Sequence, residues 1–244
     1  MTDKRAGFAT NLARILFGLY GWVVFFFCAL FALLAVLFVP GEERRHKLAA
    51  AAARAIFVLA GVSPEIRGLE NVPQGHAVVV ANHASYVDGM LLKGYLPYRF
   101  SFVIKGEMRS IPVAHFLLRR SGSKFVERFS AAGSARDARR IVKAAQSGDS
   151  LAFFPEGTFR AEPGLGRFRP GAFVAARRGS MPIVPGAITG TREMLPAGRM
   201  WPWPVRPRFE VLPPIMPDDP AFENHHVLAE KARQQILAAV GEPD

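Results

Sequence analysis

One cysteine in 244 residues leaves no partner for an intrachain disulfide and no thiolate set for a metal. That residue, Cys28, lies inside an apolar run and reads as a small buried side chain. Histidine is sparse too. The one adjacent pair, His225-His226, has no nearby cysteine and no carboxylate–histidine spacing, so it reads as surface rather than as a metal site. A Gly-x-Ser-x-Gly elbow is missing, which removes the usual setting of a nucleophilic serine and disfavours a serine hydrolase or thioesterase. Acidic residues are in deficit, 20 Asp+Glu against 31 Lys+Arg, for a formal net charge of +11. Such a surplus favours anionic partners: nucleic acid, anionic lipid or phosphate-bearing substrates. Neither a zinc-finger spacing nor an aromatic-basic strand motif accompanies it, so no nucleic-acid partner is expected. Internal repeats and low-complexity segments are absent.

What the chain has instead is one long apolar run. Ile15 to Val39 carries no charge. At about 1.5 Å per residue it reaches roughly 37 Å as a helix, enough for a hydrocarbon core of about 30 Å. A cleaved signal peptide is the competing reading, but its apolar region is usually about 7–15 residues and ends at a small-x-small site. Here the run is longer and ends in Phe38-Val39-Pro40-Gly41, so a retained anchor is expected. Lys4, Arg5 and Arg14 precede it, and Arg44, Arg45 and Lys47 follow, which gives no inside–outside bias. Pro40-Gly41 marks a turn, and a second stretch, Arg44 to Val62, is basic and then apolar. A helical hairpin in one leaflet and a single span both satisfy this pattern.

After Gly61 short apolar runs alternate with amphipathic stretches. Strands are expected at Glu65–Arg67, Ala77–Ala81, Ser101–Lys105, Lys124–Glu127, Ser150–Phe154, Ile183–Ile188 and Arg208–Leu212. Helices are expected at Tyr86–Tyr95, Val113–Arg120, Ala135–Gln146, Gly171–Arg178 and His226–Val240. The alternation predicts an α/β fold, a largely parallel mixed sheet flanked by helices, with an N-terminal membrane-anchoring helical segment. Residues 1–62 form the anchoring segment in this reading. Residues 63–244 form the α/β domain, which is expected to fold without it. Trp201-Pro202-Trp203-Pro204 reads equally as a loop at a membrane interface or as a rigid packed loop.

Four segments carry chemistry. His83 follows the apolar run Ala77–Ala81, so it sits at the carboxyl end of a strand, where ligands of open α/β sheets bind. Ser85 is a candidate helix cap, and Asp88 falls in the first helical turn. Such a turn brings a carboxylate to one imidazole nitrogen and leaves the other for general-base work; the bland alternative is a loop histidine beside a helix-start aspartate. In Phe153-Phe154-Pro155-Glu156-Gly157-Thr158, Pro155 ends strand pairing, Gly157 permits close backbone approach, and Glu156 and Thr158 are placed for substrate hydroxyls, unless the segment is an ordinary β-turn. Arg119, Arg120, Lys124 and Arg128 cluster around Gly122-Ser123-Lys124-Phe125-Val126-Glu127-Arg128, and Arg128 is a candidate phosphate ligand or part of a solvated basic face. Met181 to Ile188, by itself, is a strand with Pro at its start.

Together these segments resemble the glycerolipid acyltransferase family that includes 1-acylglycerol-3-phosphate acyltransferase. Its four ordered blocks are matched by Asn82, His83 and Asp88; by Gly122, Phe125 and Arg128; by Phe154 to Thr158; and by Pro182, Ile183 and Pro185. The resemblance covers roughly residues 68–214. It implies His83 as general base with Asp88 as its partner, Arg128 on the acceptor phosphate, and Glu156, Gly157 and Thr158 around the glycerol part. Lys105, ending its strand, stands where the family often has a phosphate-binding lysine. The implied reaction moves a fatty-acyl group from acyl-CoA or acyl-ACP to the sn-2 hydroxyl of lysophosphatidic acid, giving phosphatidic acid in phospholipid biosynthesis. It implies no metal and no bound cofactor, membrane lipid as a partner, and a site on the cytoplasmic face. Phe159 stands where the third block often has Arg, and Gly186 where the fourth often has an aliphatic residue. Both departures leave the head group open, with another lysolipid, such as an amino-acid lysolipid, as the alternative acceptor.

Overall fold

In the computed structural model, which describes residues 2–127 and 131–243, a seven-stranded sheet is layered between helices. The strands are β1 (Glu65–Arg67), β2 (Val78–Ala81), β3 (Ser101–Lys105), β4 (Lys124–Val126), β5 (Leu151–Phe153), β6 (Ile183–Thr189) and β7 (Arg208–Val211). Their order is β1-β7-β6-β2-β5-β3-β4. From β6 to β4 every neighbouring pair is parallel; β7 runs antiparallel to β6, and β1 pairs parallel with β7. The expected largely parallel mixed sheet is what forms. β2 is central and all four of its residues are buried, the continuous apolar run that a parallel strand covered on both faces requires.

The helices are α1 (Thr2–Phe38), α2 (Glu42–Leu59), α3 (Asp88–Tyr95), α4 (Pro112–Arg120), α5 (Ala131–Gln146), α6 (Gly171–Arg178), α7 (Thr191–Met194) and α8 (His225–Val240). Alternate residues of β2 feed two cores. Val78 and Val80 point to one shared with α5, α6 and α8, where Phe173, Leu228 and Ile236 are fully buried. Ala77, Val79 and Ala81 point to the other, with Leu91 and Leu92 of α3, Phe209 of β7 and Phe57 of α2.

That second core includes residues from before position 62. Phe57 is 1% exposed and Val62 8%, and both pack with sheet residues. The ring of Phe57 meets Tyr95 of α3 edge-on, with centroids 6.3 Å apart. The expected division after residue 62 follows composition; Phe57 and Val62, on the anchoring side of it, belong to the same apolar cluster as the sheet residues.

Helices α1 and α2 form a hairpin turned at Pro40-Gly41, with Tyr20 Oη donating to Leu59 O at 2.9 Å. Residues 11–38 of α1 are long and apolar enough to cross a membrane. Both ends of that stretch nevertheless touch the α/β body. Trp201 Nε1 donates to Arg14 O at 3.1 Å, and Arg120 donates to Val36 O from Nε (3.2 Å) and Nη2 (3.0 Å). Arg14 and Val36 are about 33 Å apart along the helix at about 1.5 Å per residue. The helix therefore lies along the body instead of projecting from it. The Trp-Pro loop is a packed loop: Trp203 is flanked by Arg14 and Arg199, at 4.3 and 3.8 Å. Trp201 packs so closely on α1 that a Cβ at Gly18 would lie 2.0 Å from its Nε1.

Candidate active site

The carboxyl ends of β2, β5 and β3 lie side by side, and the chain leaves β2 and β5 each through one of the motifs. At the end of β2, Asn82 continues the ladder with its side chain. Its Oδ1 accepts from Ile188 N at 2.7 Å and its Nδ2 donates to Ile188 O at 2.9 Å. This pins the loop to β6 at the point where backbone pairing stops. Its signal in the sequence was a polar residue directly after a buried strand, and no role had been read from it.

Three donors then converge on one carboxylate oxygen. Asp88 Oδ2 accepts from Ala84 N (2.7 Å) and Ser85 N (2.8 Å) and lies 2.9 Å from His83 Nδ1. Asp88 is fully buried in the first turn of α3, where the helix N-terminus also favours a negative charge. Its other oxygen, Oδ1, is buried with no hydrogen-bond partner among the described residues. With the Nδ1 proton directed at Asp88, the lone pair sits on Nε2. The His83 side chain keeps 18% of its surface exposed. Ser85 does not cap α3, whose cap position is Val87. Its Oγ accepts from Val87 N at 3.2 Å and donates to Leu195 O at 2.6 Å, fully buried. A hydroxyl so placed is spent on structure and is no nucleophile.

The second motif supports the first from the neighbouring strand. Glu156, beyond the end of β5, accepts from His83 N through Oε1 at 2.7 Å and from Gly166 N through Oε2 at 2.8 Å. Burial pushes its carboxyl above the ordinary value, against the pull of those two donors and of His83. Glu156 thus joins the histidine loop to the 160s loop. Gly157 N–H closes the turn on Phe154 O at 3.0 Å, and Thr158 is exposed at the rim. Two rings of this segment lie against the imidazole. Phe154 stacks on His83 at 4.1 Å and Phe159 lies tilted at 4.5 Å, itself held edge-on by Tyr86 at 4.8 Å. These aromatic contacts carried no sequence signal beyond Phe159's departure from the motif.

The loop bearing Phe159 is fastened from afar. Arg192 Nη1 donates to Arg160 O and Glu162 O, each at 2.7 Å, while its Nη2 pairs with Glu242 Oε2 at 2.7 Å. Arg233 of α8 donates to Leu165 O and Gly166 O. These links span up to 68 residues of sequence.

Lys105 ends β3 two strands from β2, exposed at the same sheet edge. Arg128 lies outside the described residues. The block that leads to it is described from Gly122, which has φ +87 and the ring of His46 (α2) against it. A Cβ there would fall 2.4 Å from that ring, so glycine is required on two counts. The fourth block, Pro182-Ile183-x-Pro185, forms the start of β6 beside β2.

Residues 63–189, more than half of the chain, match the family described as Acyltransferase. The chain belongs to the acyltransferase family. The match runs from just before β1 to the end of β6 and takes in all four blocks. Over 165 residues the chain is 30% identical to the chloroplastic 1-acyl-sn-glycerol-3-phosphate acyltransferase of Arabidopsis thaliana, covering 67% of this chain and 46% of that protein. Over 133 residues it is 31% identical to the lyso-ornithine lipid O-acyltransferase of Pseudomonas aeruginosa, covering 54% of this chain and 50% of that one. The chain thus spans about half the length of these curated relatives. Among solved structures, the 1-acyl-sn-glycerophosphate acyltransferase PlsC of Thermotoga maritima superposes with a TM-score of 0.77 over 95% of this chain and 96% of that one, at 22% identity. That likeness shows a common acyltransferase fold, the N-terminal hairpin included.

Proposed function

We propose that this protein acylates a lysophospholipid at the membrane surface, moving a fatty-acyl group from acyl-CoA or acyl-ACP to the sn-2 hydroxyl of lysophosphatidic acid and so forming phosphatidic acid for phospholipid biosynthesis. The observation that carries the reading is the His83–Asp88 pair: an imidazole oriented by a buried carboxylate at 2.9 Å, at the carboxyl edge of a parallel sheet. In the reaction, Nε2 takes the proton of the acceptor hydroxyl as its oxygen attacks the thioester carbonyl. The C–O bond forms, the C–S bond breaks, and the leaving thiolate takes the proton from the imidazolium, which Asp88 stabilises meanwhile. The acceptor is itself the nucleophile, so no acyl-enzyme, metal or bound cofactor enters the scheme. The acceptor is assigned to Lys105 and Arg128 at its phosphate and to Gly157 and Thr158 at its glycerol part. Glu156, with each oxygen already accepting a backbone proton, acts first as the support of the His83 loop.

A second acceptor class has support of its own. Phe159 replaces a cation with an aromatic wall, and one relative is named for a lyso-ornithine lipid. Purified protein given both donors and a panel of lysophosphatidic acid, lyso-ornithine lipid and neutral lysolipids decides the matter. Phosphatidic acid as the preferred product supports the first reading, and preference for the amino-acid lysolipid replaces it.

Arg128→Ala is expected to raise the KM for a phosphate-bearing acceptor far more than that for the acyl donor, and Arg128→Lys to rescue it only in part, because the bidentate fork is lost. Equal effects on both substrates in steady-state kinetics contradict the phosphate role. Phe159→Ala is expected to expose more of the His83 ring and admit water, so that thioester hydrolysis without acceptor rises relative to transfer. The ratio of free acid to acylated lipid measures it.

The same reading places the hairpin in one leaflet, with the site facing the cytoplasm, where the thioester donors are made. In a Cys28→Ser background, cysteines at positions 4 and 44 are expected to react with an impermeant reagent from the same side of a vesicle. Labelling from opposite sides means a single span.

A further inference from the structure

Helix α4 is amphipathic, and none of its residues is buried. Its inner face is fixed by His115, whose ring meets Phe125 of β4 edge-on at 4.9 Å. The outer stripe follows from helical spacing: Val113, Phe116, Leu117 and Arg120 stand at i, i+3, i+4 and i+7. Arg120 ends that stripe on Val36 O, at the carboxyl end of α1. The stripe therefore looks towards the side on which α1 lies. At the other end of α4, Val113 is 61% and Ile111 50% exposed. A 3-10 turn, Gly106–Ser110, joins that end to the carboxyl edge of the sheet, where β3 ends in Lys105.

We infer that Ile111 and the outer stripe of α4 form a second bilayer-seated surface, a ledge that joins the apolar face of α1 to the rim of the active site. The inference rests on the proposed membrane attachment of α1 and names a further contact. The occupant is lipid, because the ledge is continuous with a helix that presents exposed apolar side chains from Leu12 to Phe38: Leu19, Val23, Phe27, Leu30, Leu34 and Phe38 are all 45% or more exposed. Exposed cations border it at both ends, Lys105 and Arg119, as suits a surface lying at headgroup depth beneath anionic lipid. An acceptor lipid reaching the site along this ledge keeps its acyl chain in the apolar phase while its head group meets Lys105.

The test uses the full chain in a Cys28→Ser background with Val113→Cys carrying an NBD label. Val227→Cys on α8, 54% exposed and in the opposite layer, is the control. With vesicles of phosphatidylcholine and phosphatidylglycerol, the label at 113 is expected to shift to the blue and to be quenched by lipids spin-labelled near the head group. The label at 227 is expected to do neither. Ile111→Asp combined with Val113→Asp is expected to raise the KM for acceptor in vesicles roughly tenfold or more, the value of withdrawing two such side chains from lipid, and to leave turnover of a dispersed short-chain acceptor in place. If the protein sediments with vesicles while the label at 113 stays water-like, the ledge is overturned and the attachment of α1 stands. Failure to sediment at all overturns both. A blue shift that grows with protein concentration in the absence of vesicles assigns the surface to a protein contact and overturns the lipid one.

Discussion

His83→Ala is expected to lower turnover by about 10²–10⁴, the range that a positioned general base contributes, with the protein still folded. The fold should tolerate the change because the loop is not held by the imidazole alone. His83 N still donates to Glu156, Ala84 N and Ser85 N still donate to Asp88, and Asn82 still pairs with Ile188. What is lost is the base itself. A folded His83→Ala protein with near-normal transfer, measured on labelled acyl donor, removes the mechanism. Asp88→Asn divides the pair differently. An amide oxygen placed at Oδ2 keeps all three donors, and the amide nitrogen falls where Oδ1 now has no partner. The imidazole tautomer is thereby retained and only the negative charge goes. The loss should be large but smaller than that of His83→Ala. An Asp88→Asn enzyme as slow as His83→Ala would mean that the carboxylate charge contributes as much as the base.

Much of this arrangement was legible because it is local. β2 announced itself by five apolar residues in a row, and the position of His83 at its carboxyl end followed from the polar residues after it. The Asp88 contact is a five-residue affair within one turn. Helix α7 escaped because four residues behind Gly190 are too few for a period to show. Helix ends moved for similar reasons, with α3 starting at Asp88 and not at Tyr86. What could not be read was everything carried by distant pairs. Glu156 looked like a substrate ligand beside its own motif. Its actual partners, His83 and Gly166, are set by the adjacency of β2 and β5, which no spacing reveals. The clamp of Arg192 on Glu242 and on the Phe159 loop is of the same kind. The stretch Arg44 to Val62 was legible as basic and then apolar, but not that one face of α2 is covered by protein, with Ala49, Ala50, Ala52 and Ala53 buried.

That covered face bears on truncation. Deleting residues 1–62 is expected to abolish cooperative folding, because the deletion removes part of the protein's own core along with its anchor. Phe57 is among the largest fully buried side chains, in one cluster with Leu91, Leu92, Leu96 and Phe100. Removing a single core Phe side chain typically costs about 3–5 kcal/mol, and a domain's whole stability is about 5–15 kcal/mol. Here α3 would also lose the buried alanines packed over it, Gly122 the ring of His46, and Arg120 its acceptor on α1. The measurement is thermal unfolding followed by near-ultraviolet circular dichroism in detergent, where a truncated chain should show no transition. Anchoring and folding can still be separated, by changing the face of α1 that looks outward. Val23, Phe27, Phe31 and Phe38 are 47–73% exposed and touch lipid in this reading, not the core. Replacing all four by Ser is expected to weaken vesicle binding while leaving the unfolding transition and the turnover of a dispersed acceptor close to those of the parent. If the truncated chain unfolds cooperatively as the parent does, the hairpin is an appendage and the shared core is wrong.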